Sequence, residues 1–193
     1  MKSDIVLAGV GGQGILTIAA ILGAAALKND LYLKQAEVHG MSQRGGDVQS
    51  NLRISSSPIH SDLIPLGKAD VIVSLEPMEA LRYLPYLSEE GWIVSNTTPF
   101  VNIEDYPEKE ELEKCFDTVN HKIVFDMDGV AKALASPRSS NMVLLGAAAS
   151  LIDLPVEIIE KEIAAFFGKK GERIIDANIA AFREGYRIAQ EQK

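Results

Sequence analysis

Three glycines in "DIVLAGVGGQGILT", residues 4–17, are spaced for phosphate chemistry. Gly9, Gly11 and Gly14 form G-x-G-x-x-G directly after an apolar run. Glycines permit a tight turn and close backbone approach, and a helix that starts at such a loop offers free N–H groups to an anion. A dinucleotide site of this type also needs an acid about 20 residues further on, to hold a ribose hydroxyl. Glu37 stands 23 positions past Gly14. A P-loop is excluded, because Ile15 and Leu16 occupy the positions that require Lys and Ser or Thr.

A second stretch, "AEVHGMSQRGGDVQSNLRIS" (residues 36–55), concentrates Glu37, His39, Ser42, Gln43, Arg44, Gly45, Gly46 and Asp47 between two strand-like runs. One arginine, two adjacent glycines and short polar side chains can present N–H donors and a fixed charge to a phosphate or carboxylate. The plainer alternative is a polar hairpin connection that turns at Gly45 and Gly46. A third stretch, "IVFDMDGV" (residues 123–130), has the D-x-D-G-V pattern of haloacid-dehalogenase-type phosphatases. Nothing downstream supplies that family's metal site, so Asp126 or Asp128 is read as the cap of a following helix. Asp128-Gly129 also resembles the start of a thiamine-diphosphate motif, but Asn141 follows too soon to complete it. His39, His60 and His121 stand in unrelated contexts, so no metal site and no catalytic pair is assigned. Cys115 is the single cysteine. Alone it can build neither a disulfide framework, a zinc site nor an iron–sulfur cluster. Acidic neighbours argue against a nucleophile, and it is expected half-buried on a helix.

These loops need elements to hold them. "DIVLAGV" reads as a buried strand, and "ILTIAAILGAAAL" (residues 15–27) as a buried helix too short to cross a bilayer. "LYLKQAE" is a second strand. In "VQSNLRI", Val48, Ser50, Leu52 and Ile54 alternate with polar residues, so it is a half-exposed strand, antiparallel or at an edge. Further strands are expected at residues 69–75, 91–96 and 122–128, with helices over "PMEALRYLPYL" and "EKEELEKCF" between them. Strand–helix alternation of this kind predicts an α/β three-layer sandwich with a mostly parallel, mixed sheet and a Rossmann-like first strand–loop–helix.

The last third is helical. "NMVLLGAAASLI" has almost no polar face and is either a core helix or a subunit interface. "PVEIIEKEIAAFF" places Val156, Ile159, Ile163 and Phe166 on one side. The final helix stacks Ile175, Ile179, Phe182, Tyr186 and Ala189. No linker divides residues 1–193, which are read as one domain. The net charge of −8 excludes a non-specific nucleic-acid binder, which needs a basic field. No signal peptide or membrane span is recognised, and a cytoplasmic protein is expected.

Together, "GVGGQGILT", "EVHGMSQRGGDVQSNLRI" and "NMVLLGAAA" resemble the gamma subunit or domain of 2-oxoacid:ferredoxin oxidoreductases, above all the small (beta) subunit of the indolepyruvate enzymes. The resemblance implies an enzyme that decarboxylates a 2-oxoacid oxidatively to acyl-CoA and carbon dioxide. It places thiamine diphosphate and iron–sulfur clusters on a larger partner subunit, which passes electrons to ferredoxin. This chain is then a subunit of a hetero-oligomer, inactive alone, and open to binding coenzyme A. The cofactor-contacting residues it implies are Gly11, Gly12, Gln13, Gly14, Ser42, Gln43, Arg44, Gly45 and Gly46. Glu37, His39 and Asn141 would line the site or meet the partner. From the residues alone, a free-standing NAD(P)-dependent dehydrogenase and a phosphorylated-metabolite binding module remain open.

Overall fold

The computed structural model describes residues 1–39 and 45–193, with His39 described by its backbone alone. Strand β1 (Lys2–Val10) is buried along almost its whole length. Ile5 and Leu7 enter one hydrophobic cluster, Val6 and Ala8 another on the opposite side. That alternation is the pleat of a strand covered on both faces. Helix α1 (Ile15–Lys28) follows, then β2 (Tyr32–His39), β3 (Asp47–Ser55) and β4 (Ala69–Ser74). Next come α2 (Pro77–Arg82), β5 (Leu87–Asn96), α3 (Lys109–Asp117) and β6 (Lys122–Phe125). Helices α4 (Met127–Ala133), α5 (Ser140–Ala149), α6 (Val156–Phe167) and α7 (Glu172–Gln192) complete the chain.

The strands form one mixed sheet in the order β2-β3-β1-β4-β5-β6. From β1 to β6 the pairings are parallel, whereas β3 runs antiparallel to both β1 and β2. Asp4 and Arg53 face each other in the β1–β3 register. Arg53 donates from Nε to Asp4 Oδ1 at 2.7 Å and from its second terminal nitrogen to Oδ2 at 3.0 Å. The first layer is α1 and α4 to α7, the last is α2 and α3, and the sheet lies between them.

Helix α5 is buried on every side because it lies between the sheet and α7. The two helices touch backbone to backbone. A Cβ on Gly146 would stand 1.9 Å from the Phe182 carbonyl oxygen, and one on Gly185 would stand 2.0 Å from that of Val143. "NMVLLGAAASLI" is thus a core helix.

The structure departs from the sequence reading in places. β6 ends at Phe125, and the Asp126 carboxylate accepts from Gly129 N at 2.7 Å, capping α4. "PMEALRYLPYL" breaks after Arg82, because Pro85 cannot continue a helix, and β5 begins at Leu87. In β3, Ser50 and Asn51 are buried. The connection after β3 reaches Asn51, with Ile64 N donating to Asn51 Oδ1 at 3.3 Å, while Ser50 Oγ accepts from Gln35 Nε2 on β2 at 3.2 Å. Phe166 is exposed and Phe167 buried, since Phe167 continues the four-residue step from Ile159 and Ile163. Cys115 is exposed, because α3 turns Leu112 and Phe116 inward and Cys115 lies a quarter turn aside.

Candidate functional site at the carboxyl end of the sheet

The glycine loop leaves β1 at Val10 and enters α1 at Gly14, so the first-turn amides and positive end of α1 lie at the loop. Gly14 is left-handed, with φ 85°. Its missing Cβ leaves room for Asn141, whose Nδ2 would lie 2.5 Å from that atom. Asn141 Nδ2 donates to the Gly14 carbonyl at 3.4 Å. The loop therefore seats the first turn of α5 against the first turn of α1.

Gln13 closes the loop with its side chain. Its Oε1 accepts from Val10 N at 2.8 Å, and its Nε2 donates to the Leu75 carbonyl at 3.4 Å. That carboxamide ties the end of β1 to the end of β4. The second loop meets the first directly. Gly11 N donates to the Gly46 carbonyl at 2.8 Å, and Gly45 N to the Gly11 carbonyl at 3.5 Å. Antiparallel pairing makes this contact, because the start of β3 lies beside the end of β1.

A cleft of about 320 Å³ opens at the glycine loop, between Gly12, Gln13, Asn96, Asp128, Arg138 and Asn141. Asn96 is buried and joins three elements. Its Nδ2 donates to Asp128 Oδ2 at 2.9 Å and to the Leu75 carbonyl at 3.4 Å, while its Oδ1 accepts from Met127 N at 3.0 Å. Ser140 Oγ holds the other Asp128 oxygen at 2.5 Å. A wider groove of about 820 Å³ continues past Arg138 and Asn141, edged by Lys170 and Arg173 and floored by Phe166, Phe167 and Ile174. Arg138, Lys170 and Arg173 edge the wider groove, which has no acid among the described residues that line it, whereas the cleft carries the Asp128 carboxylate. The cationic groove suits an elongated anionic ligand.

Gly11, Gly12, Gln13, Gly14, Gly45, Gly46 and Asn141 meet at this end of the sheet. Ser42, Gln43 and Arg44 lie outside the described residues, as does Gly40, and His39 ends β2 opposite Val48. Glu37 is placed elsewhere. It pairs with Ser50, which pairs with Leu7, three residues before the end of β1. Strand β3 also separates it from β1 by two strand spacings, roughly 10 Å. The acid that a dinucleotide ribose would require is thus too far out and too low, and the NAD(P) reading loses its support. Asn96, Arg138 and Ser140 were missed in the sequence, and Asp128 was noticed only for other motifs. Among the described residues, no three His, Cys, Asp or Glu side chains are grouped to hold a metal ion. No helix among them is long and apolar enough to cross a membrane.

Residues 4–188 match the family described as pyruvate ferredoxin/flavodoxin oxidoreductase. The chain is 37% identical to the indolepyruvate oxidoreductase subunit IorB of Methanothermobacter thermautotrophicus, over 99% of this chain and 100% of that one. In fold it is similar to the 2-oxoglutarate:ferredoxin oxidoreductase of Magnetococcus marinus, with a TM-score of 0.78 and 22% identity. That match covers 98% of this chain and 31% of the other, whose structure holds 2-oxoglutarate, coenzyme A and succinyl-CoA. The keto/oxoacid ferredoxin oxidoreductase gamma subunit of Geobacter sulfurreducens aligns with a TM-score of 0.72 and 23% identity, over 98% of this chain and 99% of that one. The chain belongs to the pyruvate ferredoxin/flavodoxin oxidoreductase family, as a small subunit of a 2-oxoacid:ferredoxin oxidoreductase.

Proposed function

We propose that this chain is the small subunit of an indolepyruvate:ferredoxin oxidoreductase of the cytoplasm and that the cleft at its glycine loop binds coenzyme A. The observation that carries the ligand reading is the glycine loop at the start of α1, where Gly12, Gln13, Asn141 and Arg138 line one opening, and where Gly11 bonds the second loop at Gly45 and Gly46. The full-length likeness to IorB supports the aryl-pyruvate substrate. In the assembled enzyme a 2-oxoacid, coenzyme A and two oxidised ferredoxins give acyl-CoA, carbon dioxide, two reduced ferredoxins and a proton. Thiamine diphosphate on the larger subunit supplies the decarboxylation chemistry, and that subunit's iron–sulfur clusters carry the electrons.

This chain supplies binding and orientation. The α1 amides and Arg138 hold phosphate charge. Gln13 keeps the loop closed, and Asn96 and Ser140 keep the Asp128 carboxylate fixed at the rim. Co-expression with the larger subunit is the test. The purified complex is expected to reduce ferredoxin only when given both indolepyruvate and coenzyme A, and to bind coenzyme A but not NAD(H) in calorimetry. A larger subunit that neither binds this chain nor needs it for activity refutes the reading.

A further inference from the structure

The connection between β5 and α3, residues 97–108, crosses the carboxyl end of the sheet beside the two loops. It does not hold its place by burying apolar surface. Phe100, Val101 and Ile103 are 43%, 68% and 48% exposed. Polar anchors hold it instead. Thr98 Oγ1 donates to Asp126 Oδ1 at 3.3 Å, and Asn102 Nδ2 donates to the Gly45 carbonyl at 2.7 Å. Phe100 N donates to Glu76 Oε1 at 3.3 Å, and the Tyr106 hydroxyl donates to the same oxygen. Glu76 is fully buried, and its other oxygen accepts from Glu79 N at 2.7 Å, capping α2. Burial and the Glu76 carboxylate push the Tyr106 phenol upward, so it stays protonated and remains a donor.

We infer that residues 97–108 form a strap that positions the coenzyme site, with Asn102 as the positioning residue and the Glu76–Tyr106 pair as its clamp. The chain of contacts is continuous. Glu76 fixes the strap, Asn102 fixes Gly45, and Gly45 and Gly46 fix Gly11 from both of its backbone groups. Loops with few buried apolar contacts open locally at low free energy, so the loss of one of these polar anchors is expected to loosen the segment. The functional consequence rests on the coenzyme A reading above. The positioning itself does not.

The test uses Asn102→Asp, which keeps size but removes the donors, alongside Tyr106→Phe and the wild-type complex. In Asn102→Asp, hydrogen exchange at the Gly11 and Gly45 amides is expected to accelerate about 3- to 10-fold, while the core strands keep wild-type protection. KM for coenzyme A is expected to rise by a similar factor, with kcat at saturating coenzyme A unchanged. Tyr106→Phe is expected to move both readouts in the same direction. Asn102→Gln, which restores a donor, is expected to recover part of the loss. Unchanged exchange at Gly11 and Gly45 in Asn102→Asp overturns the strap. Accelerated exchange in a protein whose wild type does not bind coenzyme A supports the strap and overturns the ligand reading.

Discussion

Gly14→Ala tests the junction between the glycine loop and α5 in a way that separates two costs. The first is backbone strain. At φ 85° a residue with a Cβ occupies the left-handed region, which costs about 1–2 kcal/mol. The second is contact. The new methyl would stand 2.5 Å from Asn141 Nδ2, so Asn141 must move and give up its bond to the Gly14 carbonyl, about 0.5–1.5 kcal/mol. The single variant is therefore expected to lose about 1.5–3.5 kcal/mol. In an Asn141→Ala background only the strain remains, and the same substitution is expected to cost about 1–2 kcal/mol. Urea unfolding of the four proteins gives the coupling directly, since the two residues are in contact. Equal cost in both backgrounds refutes the Gly14–Asn141 contact. A cost below about 0.5 kcal/mol in either refutes the left-handed assignment as well.

Gly146→Ala and Gly185→Ala push a methyl into a carbonyl of the facing helix, which no rotamer change relieves. Each is expected to cost about 3 kcal/mol or more in urea unfolding, and a loss under 1 kcal/mol would contradict the close α5–α7 approach. Burial raises the Asp4 carboxyl, but its hydrogen bonds and charge contacts with Arg53 and Lys2 outweigh this and hold it below the usual carboxylate range. Its folded value lies below the unfolded one, so its stabilisation is full above about pH 4 and falls away as pH drops through the folded value. Asp4→Asn should flatten this part of the acid-unfolding curve, and an unchanged acid slope would count against the pair. Arg53→Leu leaves Asp4 with Lys2 as its remaining cation and is expected to cost about 1–3 kcal/mol at pH 7, read from chemical denaturation. Cys115 is expected to react fully with iodoacetamide in the folded chain. Labelling that needs denaturant would mean the α3 face is turned the other way.

Strands β1, β5 and β6 were legible in the sequence because their apolar runs are short and end in glycine, asparagine and aspartate. The antiparallel run of β3 was legible in the alternation of Val48, Ser50, Leu52 and Ile54 with polar residues. The strand order was not, since nothing local says that β3 rather than β2 lies beside β1. That one fact moves Glu37 away from the glycine loop and brings Gly46 to it. The missed site residues follow the same logic. Asn96 and Ser140 lie 44 residues apart and meet only because both grip Asp128. Their types carry no spacing signal, and "NTTPFVNIEDYPE" has no period to reveal a strap. The Phe166 and Phe167 exchange reflects the end of α6, where a one-residue step decides which ring faces the core.

The Asp4–Arg53 pair has a reach beyond its own neighbourhood. It joins directly opposed residues of β1 and β3 at the end of the ladder remote from the glycine loops. From Asp4 to Val10 is six residues, roughly 20 Å of strand. A ladder is a stiff ruler, so the alignment fixed at one end is delivered undiminished to the other. A slip of one residue would carry Gly46 about 3.3 Å along Gly11 and turn every inward side chain of β3 outward. The ion pair is therefore a gauge pin, and wear at it would show first as misalignment of the two loops, at a distance where nothing has been touched.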